Sequence, residues 1–459
     1  MSHRTQHTVS AAFAQVEDPA SESWQQLVQE RLPANLEEQA RVLGAFERKR
    51  AMPTAALLLR GLLGYVLSVS SLQELSMWSR LLNICCVTIT GQAWHKRLRK
   101  SRAWLLWLFN TLLAAEPTTW DLPLGLGQRL LVVDGTEVQC LGPKGLLWRL
   151  HCAYDMLSGQ LAWVRLTSQK IGESLCLVPT QVGDILISDG LYSRARQLVA
   201  VAQAGGFTLT RLSPHHLPLF LAHAPSCTPP FQFDIDGWLH SLSTGIHERS
   251  ALVYFAQTTL AVRVIVVVLP PDQAAAMRRK KEHEAHAKGR KLSERSRFLA
   301  GFLLLVTTLP AATWSAQLLS ELYGARFQIE VLFKRIKQML DLHTLRCTTS
   351  ESAQAMILAL LVAWLLIEDD LEALRRHLSD GEPEAVPLSS WQLARLSTQA
   401  LRHIVAGWWS PARLTALLPE FRRLFRQRRT RPLREQQRRS RFRSLLLGEL
   451  ASVFACSSA

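Results

Sequence analysis

The spacing of apolar residues changes along the chain and divides it into regions. The first 120 residues are predicted to be helical, with one helix from Pro53 to Val66 and another after the capping box Ser71-Leu-Gln-Glu74. From Gln128, short apolar runs and period-two alternation predict strands. The predicted strands are residues 129–134, 146–154, 161–167, 184–189 and 207–212, with a helix at 192–204 before the last of them.

This order of strands and helix predicts a mixed α/β sheet. The next hundred residues do not continue it, because runs rich in β-branched residues at 252–255 and 259–269 end at Pro270-Pro271. A segment of this length is too long for a plain loop, so we expect an inserted β-rich subdomain. Beyond Ser315 the chain is predicted to be helical again.

Five regions follow from these patterns. The predicted fold class is α/β, a mixed sheet interrupted by a β-rich insertion and flanked by helical N- and C-terminal regions. The regions are an N-terminal helical region at 1–122, the first part of the sheet domain at 123–212, the insertion with a basic stretch at 213–312, the second part of the sheet domain at 313–375, and a C-terminal helical and Arg-rich region at 376–459.

Positive charge is concentrated in two stretches. The chain carries 53 Lys and Arg against 37 Asp and Glu, a formal net charge of +16. Residues 421–443 hold eleven Arg and one acid, and residues 278–297 hold nine basic residues and three acids. These stretches account for the whole surplus, which indicates a polyanionic partner, either nucleic acid or an anionic membrane surface. Each stretch could equally be a solvated helix or a disordered tail.

Composition argues against several other classes. The longest uninterrupted apolar run is the 13 residues 355–367, shorter than the roughly 20 residues that cross a bilayer. The first thirty residues show no apolar signal core. The eight cysteines form no C-x-x-C pair, so we expect reduced thiols, no structural zinc and a cytoplasmic protein.

A short basic helix is predicted in the N-terminal region. It follows Thr90-Gly91 and carries His95 and four further basic side chains: Lys96, Arg97, Arg99 and Lys100. Helix, turn and basic helix are compatible with a helix-turn-helix DNA reader. A solvated basic helix face explains the same residues equally well.

The segment from Tyr323 to Lys337 is more informative. At about 100° per residue, Tyr323, Arg326, Glu330 and Lys337 fall within an arc of about 60° on a single predicted helix. A separate apolar stripe lies beside them, made of Leu322, Ile329, Phe333, Ile336 and Leu340. Without other evidence this is a surface helix with an Arg326–Glu330 pair, worth about 0.2–0.5 kcal/mol.

Two aspartates change that interpretation. Asp134 and Asp189 each follow a short apolar run and precede a glycine, so each could end a buried strand and meet Glu330. An Asp-Gly pair is also common in turns. Three carboxylates brought together need a cation between them, and Mg²⁺ or Mn²⁺ prefers oxygen ligands. Two such ions about 3.5–4 Å apart would serve phosphodiester cleavage.

These residues resemble a known family. Tyr323-x2-Arg326-x3-Glu330-x6-Lys337 fits the Y-x2-R-x3-E-x6-K motif of the DDE transposases of insertion sequence family 4. The segments around Asp134 and Asp189 resemble the first and second acidic motifs of that family, and the order of elements matches over roughly residues 50–370. The resemblance implies a ribonuclease-H-like catalytic domain with a β-rich insertion between Asp189 and Glu330.

The resemblance also implies roles. Asp134, Asp189 and Glu330 would be the catalytic metal ligands, with Mg²⁺ or Mn²⁺ and two ions expected. Tyr323, Arg326 and Lys337 would hold double-stranded DNA at the end of the element. The N-terminal region would bind terminal inverted repeats, and two protomers would pair two ends, so we expect a homodimer on DNA and no membrane partner.

Some members of the family form a hairpin at the transposon end, where a flipped base stacks on an aromatic residue of the insertion. Trp238 is the candidate here, although a core tryptophan is the commoner explanation. The expected activity is cut-and-paste transposition by a cytoplasmic protein that associates with the nucleoid when bound to DNA. Alternatives are a nuclease of the same fold without strand transfer, an inert DNA-binding regulator, and a membrane-surface protein attached through its Arg tail.

Overall fold

The structure is a computed structural model of the chain. It describes residues 19–47, 51–114, 129–140, 147–221, 231–324, 326–342, 344–347, 349–379 and 390–407. The Arg-rich stretch at 421–443 therefore lies outside the described residues. The described residues belong to two compact units, one formed by Met1–Trp104 with Arg402–Ala459 and the other by Leu105–Leu401.

The first unit is helical, as predicted. Its helices are α1 (Pro19–Arg31), α2 (Leu36–Val42), α3 (Ala55–Leu67), α4 (Leu72–Leu81) and α5 (Gly91–Lys100), and α6 (Arg102–Ala114) begins at its boundary. The predicted capping box is confirmed, because the Ser71 hydroxyl accepts a hydrogen bond from the Glu74 amide at 3.1 Å. Glycine allows close packing within this unit, since a Cβ at Gly61 would lie 2.4 Å from the Trp94 ring.

The second unit is built on one mixed sheet. Its strands are β1 (Leu130–Cys140), β2 (Leu147–Asp155), β3 (Gln160–Ser168), β4 (Ile185–Ser188), β5 (Phe207–Arg211), β6 (Phe220–Leu221), β7 (Gly245–Phe255), β8 (Thr258–Val268), β9 (Phe302–Thr307) and β10 (Thr344–Leu345). The order is β3-β2-β1-β4-β5-β9-β8-β7-β6, with β10 parallel to β1. All five predicted strands are present, which confirms the mixed α/β class.

The half of the sheet from β3 to β5 has a ribonuclease-H-like arrangement. β1, β2 and β3 are antiparallel, whereas β4 and β5 run parallel to β1. The insertion differs from a separate subdomain, because its strands continue this sheet. β9 pairs antiparallel with β5, and β8 and β7 follow. The physical reason is that β5 would otherwise be an edge with unpaired backbone groups.

Helices cover the sheet and complete the unit. They are α7 (Ala195–Gln203), α8 (Ile235–His240), α9 (Pro271–Ala287), α10 (Glu294–Leu299), α11 (Ala316–Gly324), α12 (Phe327–Leu340), α13 (Ser350–Ser379) and α14 (Ser390–Ala406). The 19 residues Ser350–Glu368 of α13 would be long and apolar enough to cross a membrane, but 83% of that stretch is buried inside the protein. It is a core helix.

Candidate active site

The two predicted aspartates lie side by side on interior strands of the sheet, with Asp134 inside β1 rather than at its end as expected, and Asp189 directly after β4. β1 and β4 are parallel and pair Val132 with Ile187. The same register, continued by two residues, places Asp134 beside Asp189 on the same face. Neighbouring strands lie about 4.8 Å apart, so the two carboxylates share one site. The sheet thus brings together two acids 55 positions apart in the chain.

Asp134 occupies an environment that disfavours its charge. Its side chain is 17% exposed, and one carboxylate oxygen accepts a hydrogen bond from the Gly135 amide at 2.8 Å. Burial raises the pKa of Asp134 to about 6; the Gly135 hydrogen bond and the Arg326 charge oppose this shift, while the charge of Asp189 adds to it. A cation placed between the aspartates would relieve this cost.

Asp189 begins a short turn. β4 ends at Ser188, and the Asp189 carboxylate accepts a hydrogen bond from the Leu191 amide at 2.8 Å, which caps the 3₁₀ turn Gly190–Tyr192. Asp189 therefore caps a turn and also lies beside Asp134. The two interpretations of the Asp-Gly pair, as a turn and as part of an acidic site, are compatible at this residue.

The segment from Tyr323 to Lys337 is not a single helix, which corrects the prediction. Tyr323 lies on α11, which ends at Gly324, and Arg326 is the N-cap residue of α12. Glu330 is in the first turn of α12 and Lys337 is in its last turn. The Arg326 amide donates a hydrogen bond to the Tyr323 carbonyl at 3.1 Å.

The apolar stripe of this segment packs as predicted on α12. Ile329, Phe333, Ile336 and Leu340 are buried, whereas Leu322 on α11 is half-buried. α12 packs against β1, the strand of Asp134. Burial of the stripe therefore holds Glu330 on the side of the helix that borders the sheet.

Arg326 links Glu330 to Asp134. One guanidinium nitrogen lies 2.5 Å from a Glu330 carboxylate oxygen, and another lies 3.6 Å from Asp134. The Arg326–Glu330 pair expected of a surface helix is present, and it also reaches the sheet. Glu330 itself is 47% exposed, so its carboxylate is accessible from solvent.

Tyr323 lies behind this cluster. Its side chain is buried, and burial raises the pKa of its phenol, while the nearby charges of Arg326 and Arg211 oppose that shift. Arg326 is the charged group that acts most strongly on this phenol. Tyr323 therefore lies near the guanidinium that contacts Asp134 and Glu330.

Lys337 lies farther along α12. It is half-buried, and burial lowers the pKa of its ammonium while the charge of Glu137 on β1 opposes that shift. Its neighbour is therefore the middle of β1, downstream of Asp134.

Two residues beside the aspartates had no predicted role in the site. A Cβ at Gly135 would lie 2.7 Å from a Glu173 carboxylate oxygen, so Glu173 lies directly against the residue after Asp134. Tyr192 is 1% exposed, its hydroxyl has no hydrogen-bond partner among the described residues, and its charged neighbours begin with Glu173 and Asp134. The only signal for either was the Asp189-Gly-Leu-Tyr192 spacing, because Glu173 lies in an irregular loop.

The other acids that sequence analysis left aside have structural roles. Asp184 is buried and forms a two-bond ion pair with Arg129 at 2.7 and 2.9 Å. Glu137 pairs with Arg149 at 2.9 Å, and Asp155 accepts a hydrogen bond from the Leu157 amide at 3.0 Å. These contacts account for the three acids without a role at the candidate site.

The donor set fits a hard divalent cation. Asp134, Asp189 and Glu330 offer carboxylate oxygens only, which suits Mg²⁺ or Mn²⁺ rather than zinc. In the part of the chain that the structure describes, no three acidic, histidine or cysteine side chains are already close enough to hold an ion together. The Arg326 guanidinium contacts Asp134 and Glu330, two of the three carboxylates that would hold such a cation.

Comparison with known proteins decides the family. The family model described as "Transposase DDE domain" matches residues 125–366, more than half of the chain, including all three acids. The chain belongs to the DDE transposase family. The family assignment made from the three motifs is thereby confirmed, and the transposase is an enzyme of metal-dependent DNA phosphoryl transfer.

Curated relatives support the assignment. The transposase of insertion sequence element IS421 from Escherichia coli is 32% identical over 348 residues, which cover 74% of this chain and 91% of the relative. The transposase of element IS231E from Bacillus thuringiensis subsp. finitimus is 23% identical over 341 residues, covering 67% and 71%. Both similarities extend over most of the relative's length.

The predicted DNA-reading helix of the transposase is α5. Trp94 and Leu98 are buried, and the basic side chains lie on the other faces. Lys96 is exposed, Arg97 donates to the Ala93 carbonyl at 3.2 Å, and Lys100 forms an ion pair with Glu47; Arg99 is exposed. Residues 82–90 separate α4 from α5, a longer connection than the three or four residues of a helix-turn-helix turn.

Trp238 lies in the core of the transposase insertion. Its ring on α8 is 6% exposed, packs edge-on against Phe233 with centroids 5.5 Å apart, and lies under the Arg249 guanidinium at 5.1 Å. This is the commoner role of a tryptophan at such a position. The base-stacking role of Trp238 stays a prediction.

The basic stretch at 278–297 of the transposase occupies α9 and α10. Two of its arginines are paired: Arg295 with Asp236 at 2.7 Å and Arg297 with Glu282 at 2.9 Å. Lys281 instead lies beside Arg211 at the end of β5. The stretch therefore reaches the end of the sheet that carries Asp189.

Proposed function

We propose that this transposase moves an insertion sequence by cut-and-paste transposition. Water first cleaves a strand at each end of the element, and the freed 3′-OH then attacks target DNA. Both steps are in-line displacements at phosphorus, so one site serves both. The observation that carries the proposal is the position of Asp134 beside Asp189, with Glu330 linked to Asp134 through Arg326.

The three acids have defined tasks in these steps. Asp134, Asp189 and Glu330 would hold Mg²⁺ or Mn²⁺, with two ions matching the two oxygens exchanged at phosphorus. Bound there, the ions activate the attacking oxygen and stabilise the leaving 3′ oxygen. Arg326 exchanges its carboxylate partners for a DNA phosphate, and this exchange leaves Asp134 and Glu330 free for the ions. Tyr323 orients Arg326, and Lys337 binds a neighbouring phosphate.

The remaining parts of the proposal concern DNA and assembly. Lys96, Arg97, Arg99 and Lys100 of α5 would contact terminal inverted repeats. Two protomers would hold two ends in a homodimeric complex, since excision requires both ends together. The protein would act in the cytoplasm, on the nucleoid when bound to DNA. Its double-stranded substrates are the repeats and the target.

Substitution of each acid tests the assignment. We expect Asp134→Asn, Asp189→Asn and Glu330→Gln each to bind end DNA and to lose Mg²⁺-dependent cleavage by at least about 10³-fold, because the transition-state charge is no longer stabilised. Cleavage of a labelled duplex carrying the inverted repeat measures the loss. Asp272→Asn, at the exposed start of α9, is the matched control and should cleave normally. Cleavage that survives in all three variants would refute the site.

A joining assay separates transposition from simple cleavage. Pre-cleaved ends with a free 3′-OH are incubated with the wild-type protein, target plasmid and Mg²⁺. Joined product supports the transposase mechanism. Cleavage of intact ends without joined product would show a nuclease of the same fold instead. End binding without cleavage or joining would show an inert DNA-binding regulator.

A further inference from the structure

A cleft beside Asp189 is lined by residues from the catalytic sheet and from the insertion. Its volume is about 360 Å³. Arg211 at the end of β5, Lys281 on α9, and Tyr323 and Arg326 near α12 all line it. The insertion therefore supplies part of the wall of the active-site cleft. From the sequence, the basic stretch of the insertion was expected only to attract a polyanion through its overall charge.

Two cations of this cleft lack acidic partners. Neither Arg211 nor Lys281 has a carboxylate within ion-pair distance among the described residues, and both side chains are half-buried. Burial and then the neighbouring charge of Arg211 lower the pKa of Lys281, with Glu284 opposing. Like charges held together out of bulk water are costly unless an anion lies between them. The charges of Arg211 and Lys281 therefore favour the binding of an anion in this cleft.

Other features of the cleft restrict that anion. Ser213 and Ser296 add hydroxyl groups, while Leu299, Phe302 and Leu304 supply an apolar side. A phosphodiester with its deoxyribose matches this mixture, because the sugar is largely apolar and the phosphate oxygens accept hydrogen bonds. The acid in the cleft is Asp189, which lies at its catalytic end.

We propose that Arg211 and Lys281 form a binding site for one backbone phosphate of the DNA strand next to the scissile phosphate, so that the insertion positions DNA for cleavage. The site rests on the proposed function, since it takes the same DNA. It adds a contact outside the Tyr323, Arg326 and Lys337 group. It also gives the insertion a role in positioning DNA, because α9 of the insertion supplies Lys281 and β5 of the catalytic sheet supplies Arg211 to the same cleft.

Salt-dependent binding tests the site. Full-length Lys281→Ala and Arg211→Ala are titrated by fluorescence anisotropy with a duplex that carries the inverted repeat, at several salt concentrations. Each lost phosphate contact should reduce the slope of log affinity against log salt by about 0.9, which is about eight-fold in affinity at 0.1 M salt. Lys280→Ala, an exposed neighbour on the same helix, is the control, and Lys281→Arg should restore binding.

Replacement of single phosphates by uncharged methylphosphonates identifies the phosphate that Lys281 contacts. In duplexes with a single methylphosphonate, the difference between wild type and Lys281→Ala should vanish at one position adjacent to the cleavage point and persist elsewhere. Losses equal to those of Lys280→Ala would overturn the proposal, as would a difference that persists at every position. Thermal unfolding of each variant checks that the fold is intact.

These outcomes are separable from those of the proposed function. If the wild-type protein binds end DNA but fails to cleave or join it, while Lys281→Ala still binds less tightly, the transposition mechanism is wrong and the phosphate site stands. If cleavage and joining occur and Lys281→Ala equals Lys280→Ala, the phosphate site alone is wrong. Absence of DNA binding by the wild-type protein overturns both.

Discussion

Several acidic side chains and one arginine lie close together in the candidate site, so each charge affects its neighbours. Asp134, Asp189 and Glu173 lie near one another, and Arg326 is the guanidinium that contacts Asp134 and Glu330. The positive charge of this arginine offsets part of the repulsion between the carboxylates that it contacts. In the proposed mechanism Arg326 would leave these carboxylates to bind DNA, which would couple metal binding to DNA binding through one side chain.

The raised pKa of Asp134 makes stability depend on pH. Below the ordinary value of 3.8 the carboxyl is protonated in both folded and unfolded chains and costs nothing. As the pH rises towards 6 the unfolded chain releases its proton first, so the folded state loses up to about 3 kcal/mol. In EDTA, Asp134→Asn should therefore be more stable than wild type at pH 8 and equal to it near pH 4, as measured by denaturant unfolding. An equal difference at both pH values would contradict this.

Tyr192 gives a second prediction for a single residue. Its buried hydroxyl has no partner among the described residues, and an unsatisfied buried donor costs about 1–3 kcal/mol. Tyr192→Phe removes the hydroxyl and keeps the ring, so the free energy of unfolding should stay equal or rise by about 1 kcal/mol. Urea unfolding measures it. A loss of more than about 1 kcal/mol would show that the hydroxyl is hydrogen-bonded.

At the scale of elements, an ion pair holds the two catalytic strands in register. Arg129 precedes β1 and Asp184 precedes β4, and the first paired residues are Leu130 and Ile185. The Arg129–Asp184 bonds therefore join the same two strands at the end opposite the aspartates. A shift by one residue would turn either aspartate to the other face of the sheet.

Removal of one partner should weaken the sheet. Asp184→Asn leaves Arg129 without its charge partner, and we expect a loss of about 3 kcal/mol, the low end for buried pairs because Arg129 is 33% exposed. Glu282→Gln breaks the exposed pair with Arg297 and should cost less than about 1 kcal/mol. Urea unfolding of both variants makes the comparison. Equal costs would show that the Arg129–Asp184 pair contributes no more than a surface contact.

On the scale of the whole molecule, one sheet connects catalysis with the insertion. β5 carries Arg211 at its end and pairs with β9, which follows the basic helices α9 and α10. The insertion is therefore hydrogen-bonded to the strand beside β4, the strand that leads to Asp189. The DNA contacts proposed for the insertion would therefore act on a sheet that is continuous with the candidate active site.

Assembly on DNA gives the prediction for the whole molecule. Excision needs both ends of the element, so the active complex should contain two protein chains and two end duplexes. Size-exclusion chromatography with light scattering, performed with end DNA and Ca²⁺ to prevent cleavage, measures the mass. A complex of one chain with one duplex that still joins both ends would contradict the proposed dimer.

Local patterns determined much of this protein. Strand runs, caps and the apolar stripe of α12 depend on neighbouring residues, so periodicity predicted them, and the three motifs indicated Asp134, Asp189 and Glu330. The same reasoning was wrong in predicting one continuous helix from Tyr323 to Lys337. The periodicity of apolar residues does not show that one helix ends at Gly324 and another begins after Arg326. It also missed Glu173, whose loop has no period.

Tertiary structure alone decided which distant residues meet. The parallel register of β1 and β4 put Asp134 next to Asp189, and packing of α12 on β1 brought Arg326 to Asp134. Pairing of β9 with β5 brought Lys281 near Arg211. None of these contacts lies within one turn or one strand. They arise because buried faces and unpaired strand edges must be satisfied across the whole chain, which no local window of sequence records.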